Sequence, residues 1–154
     1  VQIFQLQPIA VVSCSRVEPF DDGWDDEVAS IILSERFDEA AVRGLEAFSH
    51  IDVIYLFDRV DSDRIEVGAR RPRGNPDWPE VGIFAQRAKD RPNRIGLTTC
   101  RLIGISRRVL TVSGLDAIDG TPVLDIKPYM TEFGPRGEVG QPQWAQELMN
   151  HYWD

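Results

Sequence analysis

Two stretches of the chain concentrate side chains able to do chemistry. The first, GIFAQRAKDRPNRIGL over residues 82–97, carries Arg87, Lys89, Arg91 and Arg94 with Asn93 among them. Cations packed this closely repel one another unless an anion is held nearby, and an amide in their midst can pair with the edge of a base. Pro92 fixes its own φ and restricts Arg91, so the loop is stiffest where its charge is densest. The second stretch, SGLDAIDGTPVLDIKPY over 113–129, brings Asp116, Asp119 and Asp125 around a DGTP turn. Asp-Gly alone is ordinary turn chemistry. Together the two stretches are far more specific than either one.

The whole-chain charge argues against an anionic partner, and its distribution reverses that. The 154 residues carry a net charge of −8. Residues 1–58 hold 3 basic and 12 acidic side chains, residues 59–108 hold 12 and 6, and residues 109–154 hold 2 and 7. The middle third is therefore basic, and eleven of its twelve cations are Arg, whose planar fork suits phosphates and stacked bases. Arg and Asp interleaved on a solvated face would give the same counts, so the count alone leaves both readings open.

Several chemistries are excluded or poorly supported. There is no Walker loop, no GxGxxG that opens a helix after a strand, and no GxSxG elbow. His50 and His151 are the only histidines and share no short spacing with another ligand, so no metal site is expected. Cys14 and Cys100 form no CxxC pair, which favours a reduced, cytoplasmic setting. No apolar run approaches the roughly 18–20 residues of a membrane helix, and the opening VQIFQLQPIAVVSC lacks a basic leader, so a soluble protein is expected.

The elements that must position these residues are mostly strands. Runs at 8–14, 28–33, 51–57, 64–69, 81–87, 97–105, 109–114 and 123–127 are β-rich and separated by turn signals. In 81–87, Val81, Ile83 and Ala85 alternate with Gly82, Phe84 and Gln86, as half-buried strands do. A mainly β fold follows, a small β-barrel with one or two peripheral helices. One helix is expected after Asp38, with Ala41, Leu45 and Phe48 on its apolar face. The other is expected from Pro142, with Trp144, Leu148 and Tyr152 recurring every four residues and packing on the body or on a partner. The segment RRPRGNPDWPE (70–80) is expected to be irregular and superficial. The expected organisation is one domain over 1–154, with a core at 8–130 and a C-terminal loop and helix at 131–154.

GIFAQRAKDRPNRIGLT, Gly114 to Tyr129, and AVRGLEAFSH (41–50), with IDVIYLF and RRPRGNP in register between them, resemble the sequence blocks of the TsaA-like (TrmO) family of tRNA methyltransferases. The resemblance implies a β-barrel methyltransferase unrelated to the Rossmann type, and S-adenosyl-L-methionine as methyl donor. It also implies a homodimer with sites near the subunit interface. The implied substrate is tRNA, at the threonylcarbamoyladenosine beside the anticodon, whose exocyclic nitrogen receives the methyl group. Cofactor contacts would fall on Asp58, Arg59, Arg87, Leu97, Gly114, Leu115, Asp116 and Ala117. Arg71, Arg73, Lys89, Arg91 and Arg94 would face the substrate RNA. Asp116, or a water it holds, would accept the proton of the reacting nitrogen while Asn93 fixes the base edge; Asp119 is the next candidate for that role, its other reading being to organise the DGTP turn.

Three departures carry expectations of their own. Members of the family usually have His at the position of Asp58, where a carboxylate can attract the sulfonium or the amino group of the methionine moiety. The family has RPNP where Arg94 replaces the second proline, a change expected to loosen the loop and add a cation. Its RQPGL segment corresponds here to EPFDDGWDDE (18–27), where Asp22 can substitute as a carboxylate for the methionine ammonium and Trp24 as an indole beside adenine or sulfonium. The other reading of that segment is an acidic surface loop with one packed Trp. Two further functional readings stand beside the first: the same cofactor with a small-molecule or protein substrate, and a non-catalytic module that binds S-adenosylmethionine or RNA.

Overall fold

A computed structural model describes residues 1–154. Eight strands form: β1 (Ala10–Ser13), β2 (Val28–Leu33), β3 (His50–Leu56), β4 (Ala69–Arg70), β5 (Val81–Gly82), β6 (Ile95–Ser106), β7 (Val109–Ser113) and β8 (Pro122–Pro128). One α-helix, α1 (Gln143–Met149), follows near the end. Six strands close an antiparallel barrel in the order β1-β2-β7-β6-β3-β8, and β4 pairs with β5 outside it.

Alternation writes the barrel interior. Ile51, Val53 and Tyr55 point inward from β3 while His50, Asp52, Ile54 and Leu56 are half-buried. Val12, Ile31, Leu110, Val112 and Val123 complete the core from β1, β2, β7 and β8. Closure leaves no strand edge in the barrel, which removes the commonest route to edge-to-edge association. Tyr55 is the one large polar-tipped side chain in this interior, at 2% exposure. It lies opposite Gly96 in the β3–β6 register, and β8 bulges beside it, where the register shifts between Ile54 and Tyr55. Both features make room for its ring.

The mainly β barrel with minor helical content is as expected, and four local expectations change. Residues 64–69 are not a strand: a 3-10 turn spans Ser62–Arg64 and only Ala69–Arg70 pairs. Residues 81–87 leave strand geometry after Gly82 and turn through Ile83–Ala85, so Ile83 and Gln86, three apart, are buried while Phe84 is exposed. The cause is Gln86, whose side-chain amide donates to the carbonyls of Arg70 and Val81 at 3.0 and 2.9 Å and folds the segment back on itself. The helix expected after Asp38 is two 3-10 turns, Glu39–Val42 and Leu45–Ala47, parted by Gly44 at φ 91. Asp38 still caps, accepting from the Ala40 amide at 2.8 Å. At the start, only Ala10–Ser13 of the expected 8–14 run is strand.

The last helix forms as expected, with Pro142 just before it, but Tyr152 lies beyond its end. Within 70–80 the backbone is largely irregular, yet Pro72 is buried and Arg73 takes a left-handed conformation at φ 53.

A β-carbon on Gly96 would stand 2.5 Å from Tyr55 Cε2 and 2.9 Å from Phe57 Cζ. Gly96→Ala is therefore expected to cost about 1–3 kcal/mol by overpacking, read as a lower urea midpoint at unchanged slope.

Candidate functional site

One mouth of the barrel opens into a cleft of about 1930 Å³. Its floor is made by the end of β3, the start of β6 and the β7–β8 loop, and its walls by residues 19–24, 69–91 and the C-terminal segment. The β7–β8 loop is fixed by its neighbours. Leu115 and Ala117 are buried at 0% and 3%, which leaves Asp116 between them facing the cleft. Gly114, at φ 77, makes the turn out of β7 that this requires.

Asp116 is held by three hydroxyls. Its Oδ1 accepts from Tyr55 at 3.0 Å and from Thr98, and its Oδ2 accepts from Tyr152. Tyr55 and Thr98 also touch each other at 3.2 Å. No cation pairs with this carboxylate, so its charge is carried by neutral donors at the mouth of an apolar barrel. Burial first, and the Asp116 charge second, push the Tyr55 and Tyr152 phenols well above their ordinary value of 10. Both remain proton donors across the working pH range. Burial also pushes the Cys100 thiol up to about 12 and raises that of Cys14, so neither is a poised nucleophile.

Asp119 organises the turn, as expected: its Oδ1 accepts from the Cys14 amide at 3.1 Å, and its own amide donates to the Arg16 carbonyl at 2.8 Å. Asp125 pairs with Lys127 on β8 and lies outside the cleft.

The cations around Asp116 are tethered mainly to carbonyl oxygens. Arg87 donates to Leu97 O at 2.6 Å, Arg91 to Gln86 O at 2.6 Å, and Arg59 to Val17 O at 3.2 Å. Arg71 donates to the carbonyls of Pro76, at 3.3 Å, and Trp78. A carbonyl neutralises nothing, so each of these groups keeps its full charge in a fixed place. Arg73 differs, because Asp22 pairs with it at 3.1 Å and Asp21 approaches at 3.9 Å. Arg70 pairs with Asp90 at 3.0 Å, and Asp90 Oδ1 is buried without a partner in the cleft wall.

Of the residues singled out in the sequence, Trp24, Asp58, Arg59, Arg71, Arg73, Arg87, Lys89, Arg91, Leu97, Asp116 and Ala117 line this cleft. Five do not. Gly114 and Leu115 are buried beneath it, Asp22 is occupied by Arg73, and Asn93 is exposed at φ 63. Arg94 turns away, donating to Val60 O at 2.9 Å. It does not loosen the loop: its amide bonds Arg91 O at 3.0 Å and its carbonyl takes the Phe57 amide at 2.8 Å. Trp24 is a packed indole, 4% exposed, with the Arg16 guanidinium 3.7 Å above its ring.

Tyr55, Thr98 and Tyr152 are the site residues that pattern reading misses. Tyr55 has the inward parity of a core aromatic and Tyr152 the spacing of a helical apolar stripe. The available signal is the hydroxyl, since a buried phenol needs a partner. Tyr152 arrives on a C-terminal segment that is clasped to the acidic arm. The amides of Gly23, Trp24 and Asp25 donate to the carbonyls of His151, Tyr152 and Trp153 at 2.9–3.2 Å. Among these residues no group of three or more His, Cys, Asp and Glu could hold a metal, and no helix is long and apolar enough to cross a membrane.

A family model described as the tRNA-methyltransferase O N-terminal domain matches residues 17–134. The human tRNA (adenine(37)-N6)-methyltransferase is 36% identical over 113 residues, which cover 73% of this chain and 25% of that protein. An S-adenosyl-L-methionine-binding protein of Archaeoglobus fulgidus is 36% identical over 133 residues, 82% of this chain and 90% of its own length. The crystal structure of TrmO from Pseudomonas aeruginosa aligns over 90% of this chain and 61% of that one, with a TM-score of 0.74 and 30% identity. The chain thus spans a minor part of the human protein and under two thirds of the solved one.

The two raised phenols tie stability to alkaline pH. Above pH 10 the unfolded chain loses these protons and the folded chain keeps them, so stability falls as pH rises. Their contribution is complete below pH 10 and is lost above it. Melting temperatures recorded from about pH 8 to about pH 11 should drop in the upper part of that range, and less steeply in Tyr152→Phe.

Proposed function

We propose, for a chain that belongs to the tRNA-methyltransferase O N-terminal-domain family, that it is an S-adenosyl-L-methionine-dependent methyltransferase acting on the exocyclic nitrogen of adenosine beside the anticodon of tRNA. The observation that carries this reading is a hydroxyl-held carboxylate, Asp116, on the floor of an arginine-lined cleft. The names of the human and archaeal relatives support the substrate and the cofactor respectively.

The donor set suits the cofactor. Asp58 and the unpartnered Asp90 Oδ1 are acceptors for an ammonium, amino or hydroxyl group, Arg59 and Arg87 suit a carboxylate, and Phe57 and Leu97 give an apolar wall for a purine. When bound, S-adenosylmethionine supplies a methyl group whose bond to sulfur breaks, its electron pair staying on sulfur, as the nitrogen's pair forms the new N–C bond. The chain's own task is to place the nitrogen and take its proton. An exocyclic nitrogen between a purine and a carbonyl, as in threonylcarbamoyladenosine, is a poor nucleophile until that proton leaves. Asp116 accepts it at Oδ2, the oxygen that carries one donor where Oδ1 carries two. The cleft cations Arg71, Lys89 and Arg91 hold the flanking phosphates, and a loop base can be splayed into such a cleft without opening a duplex.

Asn93 and Arg94 are not among the residues that line the cleft and belong to this reading only as outer contacts for RNA. One functional unit over 1–154 is part of this reading, supported by the cleft lining contributed between Gln141 and Trp153. A cytoplasmic homodimer is part of the proposal. Val11 and Ile32, exposed cross-strand partners on β1 and β2, with Val28 four residues along the same face of β2, are exposed apolar side chains that a second copy would cover.

Purified protein, tRNA and labelled S-adenosylmethionine, with mass spectrometry of the anticodon-loop nucleosides, test the activity. Asp116→Asn is expected to lower kcat at least about 100-fold while leaving cofactor affinity within a few-fold. Affinity for tRNA should fall with a log–log salt slope near −2 for about three phosphate contacts on a single strand, whereas a small neutral substrate would be indifferent to salt. Bound cofactor with no methyladenosine formed would refute the proposal.

A further inference from the structure

Asp116 is gripped from two sides that differ in how they are anchored. Oδ1 is held by Tyr55 and Thr98, both buried on neighbouring barrel strands and bonded to each other. Their positions are set by the β3–β6 ladder and the packing of the core. Oδ2 is held by Tyr152 alone, from the short segment beyond α1. That segment is attached by its three carbonyl clasps to residues 23–25, and α1 is attached to the 70–80 segment through the Trp78 indole, which donates to Glu147 at 3.1 Å. The hydroxyl reaching the reactive side of the carboxylate is thus the one that depends on the C-terminal segment being seated.

We propose that Tyr152 is a positioning residue for methyl transfer: by donating to Asp116 Oδ2 it fixes the carboxylate in the orientation that receives the substrate proton, and it makes turnover depend on the docked C-terminal segment. The inference rests on the reading of the cleft given above. A carboxylate oxygen has two acceptor sites, so Tyr152 fills one and leaves the other for the substrate N–H. Being neutral, the phenol orients the carboxylate without competing for the proton, and burial beside the Asp116 charge raises its pKa above the ordinary 10, so it stays a donor at neutral pH. Without it Asp116 pivots about Oδ1, and a general base that pivots loses its near-attack geometry.

The acidic arm acquires a role in the same way. Residues 22–25 connect the segment carrying Tyr152 to Arg73 through the Asp22 pair, and to Arg16, which donates to the carbonyls of Asp22 and Gly23. EPFDDGWDDE is the brace for the clasp that seats Tyr152, which accounts for its burying Trp24 and spending Asp22 on Arg73.

The test is a kinetic double-mutant cycle on the full chain. Tyr152→Phe removes one hydrogen bond to a charged group and is expected to lower kcat about tenfold, with KM for tRNA and Kd for S-adenosylmethionine changed less than about twofold. Melting at neutral pH verifies that the variant is folded. Because Tyr152 acts only through Asp116, the Asp116→Asn/Tyr152→Phe pair should be no slower than Asp116→Asn alone. Wild-type kcat in folded Tyr152→Phe overturns the inference, as does a double variant that loses the further tenfold. A wild-type protein that binds no S-adenosylmethionine sinks the underlying reading and this inference with it, a result distinct from either of those.

Discussion

A carboxylate at the mouth of an apolar barrel has to be satisfied, and the satisfaction of Asp116 by three hydroxyls is the constraint that the rest of the structure serves. Asp116 is half-buried, and a charge withdrawn from water without partners is costly against a small margin of stability. Each hydroxyl comes from a different part of the chain: Tyr55 from β3, Thr98 from β6 and Tyr152 from the C-terminus. To bring them together β3 and β6 must be neighbours, Gly96 must lack a side chain, and the last residues must return to the barrel mouth. Had an arginine been the partner, the carboxylate would be locked in an ion pair with little capacity to accept a proton. Neutral donors hold it in place and leave it usable.

The same economy governs the cations. Arg59, Arg71, Arg87 and Arg91 are oriented by backbone carbonyls, which supply direction without compensating charge. An array preorganised in this manner presents its field before a ligand arrives and needs no rearrangement to do so. That is how a chain of net charge −8 offers a locally cationic cleft. The excess of acid is in the flanking segments, and part of it, Asp21 and Asp22, is placed against Arg73.

What the sequence disclosed follows from which forces act locally. The barrel strands were legible because alternation is imposed by a two-sided environment, inside and out, along β2, β3, β6 and most of β7. Residues 64–69 and 81–87 carry the same alternation but sit outside the barrel, where Gln86 rather than a core face decides the backbone. The 38–48 segment has helical spacing, yet Gly44 interrupts it before a second turn can propagate. For the site, the charged residues were visible and their bonding was not: Arg94 and Trp24 resemble ligand contacts by type, and only tertiary geometry shows them spent on Val60 and Arg16. Tyr55 and Tyr152 were hidden by conforming too well to an apolar pattern.

Backbone conformation at the RPN loop shows what the Arg94 departure does. Asn93 and Arg94 both have left-handed φ, 63 and 51, in a segment where the resembling family carries proline at position 94. Proline is confined near −65 and cannot take this conformation, so a proline at position 94 would not fit the backbone seen here. A non-glycine residue in this region is strained unless its surroundings over-determine it, and here they do. The Arg94 amide, carbonyl and guanidinium are all bonded, to Arg91, Phe57 and Val60. Through the Phe57 amide, Arg94 continues the pairing of β3 with β6 past the last strand residue, and Asp58 and Arg59 follow directly from that point. Arg59 being tethered also to the Val17 carbonyl, Arg94 is therefore one of the points that hold this stretch. This residue contributes to the site through the backbone it holds, although its charge points elsewhere.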